Sequence, residues 1–401
     1  MTTDLRAELV VNPRTGEVSQ AGADGRTGAW VVQFRQEAEA DLFLFATAVL
    51  GLDRLTETLH YPVCQWLQRV PPYRKCYLLP RDHLKTSIAR ALTMHLLLQP
   101  RETNVYFPGC RKPSCALGVR SCTEPTHRHD GANTRILYAG ETSTNAEHQL
   151  RWIMGKFETN PLLRALWPHR CWANPQKEAK KWNESEMAIP RSLDFPESSI
   201  ETIGVGGAVV GRHYDVMVKD DLITEKAANS PVVMETASEW HKSSRALFDH
   251  PDLGLEFILG TRWAPKDIYE ELAQTDPTVE VMTRAVVEGP DHAPIFPEMF
   301  TKETIARLQR ELGPRFFLLY MNNALSKDLT DFDTSEIRTF TLGDGQIVFE
   351  EDIRDTGLLQ QQAGPPPEAK DAYMNQPLTP AAYDRLRAKH EYLRFRGSGR
   401  G

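Results

Sequence analysis

The chain reads as an α/β fold, a mostly parallel central sheet flanked by helices, and three observations predict it. Short apolar runs of strand length alternate with longer helical patterns between about residues 36 and 330. The run at 75–79 passes through a polar loop straight into a long apolar helix at 88–98, a strand–loop–helix order. Another apolar run, 215–218, leads to two adjacent carboxylates, Asp220 and Asp221, at the edge where sheets of this class hold ligands.

Composition sets the outer bounds. The 401 residues exceed the usual length of one domain, which gives one large domain with appendages or two domains. With 41% hydrophobic and 25% charged residues, the chain can build a core and is neither disordered nor disulfide-packed in composition. A net charge of -7 speaks against a uniformly basic nucleic-acid coat while leaving room for a local basic groove. The most apolar early stretch, 42–52, is too short to span a bilayer, and no signal-peptide pattern opens the chain. A cytoplasmic protein with no membrane partner is expected.

Residues 1–35 are rich in Gly, Thr and charge without an apolar period, and read as a flexible arm. The α/β domain is expected over 36–330. Helices are expected at 42–55 and 63–70, the second ended by Pro71-Pro72, before the strand at 75–79 and the helix at 88–98. A Cys/His-rich insertion occupies 105–134. Beyond it come a strand at 135–139, a helix at 143–158, and strands at 200–203, 215–218 and 256–259. Gly204, Gly206, Gly207 and Gly211 read as a mobile loop. Residues 331–401, with a glutamine run, three consecutive prolines and a basic end, read as linker and tail.

The loop at 79–87, Leu-Pro-Arg-Asp-His-Leu-Lys-Thr-Ser, has the chemistry of a triphosphate cradle. Lys85 can neutralise β/γ oxygens, and Thr86 can offer a hydroxyl to Mg²⁺ at the start of a helix. Leu79 and Leu84 replace both glycines of G-x-x-x-x-G-K-[ST], and a plain surface-helix start is the competing reading. Asp220 can hold Mg²⁺ while Asp221 orients an attacking water, against a competing reading as a solvated Asp-Asp turn. In Gly260-Thr261-Arg262-Trp263, Thr261 stands at a strand tip where a hydroxyl can report a γ-phosphate or act as a polar cap.

These motifs, with Ile136-Leu137-Tyr138-Ala139-Gly140-Glu141-Thr142, Asn160-Pro161-Leu162-Leu163 and the Gly204–Gly211 stretch through Arg212-His213, occur in an order that resembles the ATPase domain of bacteriophage large terminases. The resemblance covers roughly residues 40 to 330 and implies a P-loop NTPase that hydrolyses ATP to package viral double-stranded DNA in the host cytoplasm. It further implies that Arg81 and Lys85 contact the phosphates, that Thr86 and Asp220 hold Mg²⁺, and that Thr261 couples hydrolysis to movement. Gln65 falls where the family recognises adenine, though a polar position on an amphipathic helix reads the same way. Asp221 stands where many such ATPases have Glu, one methylene longer. Partners implied are the portal protein, a small terminase subunit and further copies of the chain in a ring. Arg212 and Arg262 both lie near motifs as candidate arginine fingers.

Two features depart from the family. The stretch after residue 330 is too short for the nuclease domain of a full-length terminase, so nuclease chemistry is not expected and a truncated, split or reduced chain is. The insertion carries C-x₄-C-x₆-C-x₄-H-x-H, which suits a structural Zn²⁺ bound by Cys110, Cys115, Cys122 and His127, with His129 as the substitute fourth ligand. Two other functions fit the same residues: a helicase-like nucleic-acid-stimulated ATPase, and a catalytically inactive zinc-stabilised adaptor.

Overall fold

Seven short segments pair into one sheet, and helices cover both of its faces. The computed structural model describes residues 26–110, 115, 124, 127–208, 211–228, 230–264 and 267–323, with two short strand pairs outside them. The strands of the sheet are β1 (Arg74–Leu78), β2 (Ile136–Gly140), β3 (Glu186–Met187), β4 (Ile200–Gly204), β5 (Val216–Asp220), β6 (Leu255–Gly260) and β7 (Val279–Thr283). They lie in the order β3-β4-β2-β5-β6-β1-β7. Every pairing is parallel except that of β3 with β4.

The helices used below are α1 (Arg26–Ala40), α2 (His60–Gln68), α3 (Lys85–Leu98), α4 (Ser143–Thr159), α5 (Pro231–Ser244), α6 (Ile268–Thr275) and α7 (Lys302–Leu312). One face of the sheet, with Tyr77, Tyr138, Val216, Val218 and Phe257, packs with residues of α1, α2, α3 and α4. The other face, with Cys76, Leu78, Ala139 and Ile258, packs on Trp240 of α5 and on Ile268 and Leu272 of α6. Burial on both faces explains why these strands read as continuous apolar runs. Each fully buried aliphatic side chain contributes about 1.5–3 kcal/mol.

Several expectations are corrected. Helix α1 begins at Arg26, inside the stretch read as an arm, because Phe34 and Ala38, four residues apart, bury in the main core. The helix expected at 42–55 is one α-turn, Leu42–Leu44, continued as a π-helix at Phe45–Val49 and followed by Gly51 at φ +70. Edge strands β3 and β7 were missed: β3 has two residues, and β7, Val-Glu-Val-Met-Thr, is too polar to stand out. The chain divides into two compact units, Val10–Leu329, and Met1–Leu9 with Thr330–Gly401. The second unit, read at its C-terminal end as linker and tail, holds an antiparallel strand pair, Phe340–Gly343 with Gln346–Phe349. Among the described residues, no helix is long and apolar enough to cross a membrane.

Candidate active site at the C-terminal edge of the sheet

The loop after β1 is held from both sides. His83 N–H donates to Pro80 O at 3.2 Å, and Arg81 N–H donates to Leu319 O at 2.8 Å. The His83 ring is buried, stacked on Phe300 at 4.6 Å between centroids, with Nδ1 2.9 Å from Arg81 O. Burial pushes its pKa down to about 4, so the ring is neutral and Nδ1–H donates to that carbonyl.

Leu84 then adopts φ +59 and ψ +21, the left-handed conformation that suits glycine. For leucine this costs about 1–2 kcal/mol. The side chain offsets the cost by packing on both the main core and the aromatic cluster of Phe296, Phe300, Phe316 and Tyr320. The loop thus takes with leucine a backbone shape that favours glycine. No side chain caps α3, and its first-turn residues Lys85, Thr86 and Ser87 line a cleft of about 340 Å³. Uncapped N–H groups at a helix start favour an anion.

Across the cleft, β5 delivers the two carboxylates. Asp220 is buried and accepts two hydrogen bonds, from Thr86 Oγ1 at 3.2 Å and from Tyr138 Oη at 2.9 Å. Burial, then the charge of Asp221, push its pKa up to about 7, against the lowering effects of Lys85, Tyr138 and Thr86. Asp220 and the Thr86 hydroxyl bonded to it, under the charge of neighbouring Asp221, form an oxygen-rich site that a divalent cation would relieve of charge.

Asp221 sits at φ +47, its N–H donating to Leu259 O at 2.9 Å. Its Oδ1 lies 3.3 Å from Lys85 Nζ; this contact is an ion pair without hydrogen-bond geometry, since the oxygen is buried and otherwise unpartnered. Lys85 Nζ also donates to Thr261 Oγ1. Thr261 is buried at the end of β6, next to Gly260, where an added Cβ would collide with the Tyr269 ring. Lys85, Thr86, Asp220, Asp221 and Thr261 therefore converge, although they come from three separate strand ends.

The remaining expected residues divide. Arg81 is exposed and lines the cleft. Gln65 is half-buried on α2 and is not among the residues lining the cleft. Arg262 is paired with Asp267 at 2.9 Å and also with Glu270, and Arg212 is paired with Glu201. Two residues given no role from the sequence stand in the site: Tyr138, which orients Asp220, and Thr224, which lines the cleft and donates to Glu141 Oε1 at 2.7 Å. Both lie within the motif or next to the carboxylate pair, and their hydroxyls were the available signal. Also missed was the ionic network behind Asp220. Lys219 is fully buried and donates to Glu256 at 2.6 Å and to Ser244 at 2.8 Å, while Arg245 Nε donates to Glu256 at 2.8 Å. It ties β5, β6 and α5 together.

In the insertion, one ligand atom from each of Cys110, Cys115 and His127 lies within 4.8 Å of the others. Cys122 lies outside the described residues. His129 is engaged elsewhere, with Nε2 2.8 Å from Thr134 Oγ1 and its ring against Phe107 at 4.5 Å. Both ends of the insertion are anchored: Tyr106 Oη lies 2.8 Å from His95 Nδ1, and Gly131 N–H donates to Gln99 O at 3.0 Å.

Comparison with protein-family models and with curated proteins found no match.

Proposed function

We propose that the cleft binds Mg²⁺-ATP and hydrolyses it, and that the protein works as the ATPase of a viral double-stranded DNA packaging motor. The observation that supports the first part is the convergence of Lys85, Thr86, Asp220, Asp221 and Thr261 beside an uncapped helix start. Asp220 and Thr86 supply hard oxygen donors suited to Mg²⁺. When bound, the metal neutralises charge developing on the phosphates. Lys85 and Arg81 neutralise the same oxygens, the first turn of α3 orients them, Asp221 faces the attacking water, and Thr261 senses the terminal phosphate through Lys85.

The second part rests on the order of motifs resembling large terminases. It carries with it the portal protein, a small terminase subunit, a homo-oligomeric ring and the host cytoplasm as expected surroundings. Cys110, Cys115 and His127 would hold a structural Zn²⁺, because thiolate and imidazole are its usual ligands and their spacing suits one ion. Hydrolysis stimulated by double-stranded DNA without strand separation supports the motor. Strand displacement in the same assay would point instead to a helicase-like enzyme.

A further inference from the structure

We infer that Glu141, acting through the Thr224 hydroxyl, positions the attacking water in the cleft; this rests on the hydrolase reading above. The register of β2 with β5 pairs Gly140 with Asp220, so Glu141 and Asp221 leave neighbouring strands at the same level. Thr224 Oγ1 donates to Glu141 Oε1 at 2.7 Å, and Thr224 lines the cleft together with Asp221 and Thr261. A hydroxyl that has given its only proton to a carboxylate keeps acceptor capacity alone. It can therefore accept an O–H from water and turn a lone pair of that water elsewhere.

Asp221, whose Oδ1 is paired with Lys85 at 3.3 Å, shares this task with the Thr224 hydroxyl. Glu141 stands on a stiff strand-to-helix turn. Gly140 O accepts from Val205 N–H at 3.0 Å, and Thr142 Oγ1 caps α4 by accepting from Asn145 N–H at 3.2 Å. An added Cβ on Gly204 would collide with the backbone of Thr142 and Ser143, so this turn and the end of β4 are in close contact. Glu141 is thus a positioning residue: it holds the hydroxyl and takes no proton itself.

The test uses the full chain with Thr224→Val, Thr224→Ser, Glu141→Ala and Glu141→Gln. Expected is a fall in kcat of about tenfold or more for Thr224→Val and Glu141→Ala with KM for ATP little changed. Thr224→Ser and Glu141→Gln, which keep the hydroxyl and an acceptor oxygen, retain most of the rate. Binding gives a second readout. ADP with aluminium fluoride, which mimics the phosphoryl group in transfer, binds Thr224→Val about tenfold more weakly, while a non-hydrolysable ATP analogue binds as to wild type. Wild-type kcat in Thr224→Val and Glu141→Ala overturns the inference, and so does an equal weakening of both ligands, which marks a merely structural contact. A wild-type chain that binds neither ligand overturns the hydrolase reading itself.

Discussion

Thr86 Oγ1 donates to Asp220 Oδ1 at 3.2 Å, joining the first turn of α3 to the end of β5 across 134 residues of sequence. This bond brings the hydroxyl and the carboxylate to a single point where one octahedral cation can use both. Replacing Thr86 with Val keeps the shape and removes the oxygen. The expected result is an apparent Mg²⁺ requirement for hydrolysis raised about tenfold or more, read from a metal titration at saturating ATP. An unchanged requirement would separate Thr86 from the metal.

Gly260 makes room for Tyr269, and the Thr261 tip depends on it. Gly260→Ala should lower stability by about 1–3 kcal/mol, since the displaced ring has nowhere to go in a packed interior. Chemical denaturation gives the value, and stability equal to wild type would show that the ring relaxes freely.

The Lys219–Glu256 pair is fully buried at 2.6 Å. Burial alone would raise the pKa of Glu256, but Lys219, His241 and Arg245 outweigh it and hold it well below the usual carboxylate range. Breaking such a pair leaves a buried charge uncompensated, so Glu256→Gln should cost about 3–5 kcal/mol in unfolding free energy. A loss under about 1 kcal/mol would mean that Lys219 releases its proton on burial instead.

Buried histidines set the acid response. Burial pushes His95 down to about 4 and His241 to about 3, from an ordinary value of 6.5. His95 accepts at Nδ1 from Tyr106 Oη and donates from Nε2 to Ala38 O, so protonation would break the first bond. Because the folded pKa lies below the unfolded one, this stabilisation is complete above about 6.5 and is lost as pH falls toward 4. Melting temperatures measured from pH 8 to pH 4 should decline over that window, and a rise on acidification would contradict it.

The Cys/His cluster makes a prediction about metal. The purified chain should carry about one Zn²⁺ by elemental analysis, and Cys115→Ser should release it and lower the melting temperature. Metal-free wild type with unchanged stability would leave the cluster without a metal role.

Much of this arrangement was legible in the sequence, for a physical reason. Strands buried on both faces announce themselves as apolar runs, so β1, β5 and β6 were found, and with them Lys85, Asp220 and Thr261 at their ends. The loop at 79–87 was read despite Leu84, but not the left-handed backbone of Leu84, which packs on distant aromatic residues that no local pattern shows. Glu141 and Thr224 meet only through the pairing of β2 with β5, and Lys219 meets Glu256 only through the pairing of β5 with β6. Contacts made across strands carry no periodic signal along the chain.

The most direct measurement of the central claim is Mg²⁺-dependent ATP hydrolysis, with and without double-stranded DNA, by wild type and by folded Lys85→Ala and Asp220→Ala variants. Hydrolysis by wild type, stimulated by DNA and reduced about a hundredfold or more in both variants, is the expected result. Turnover unchanged by either substitution, or its absence from wild type in the presence of DNA, would contradict the assignment of the cleft.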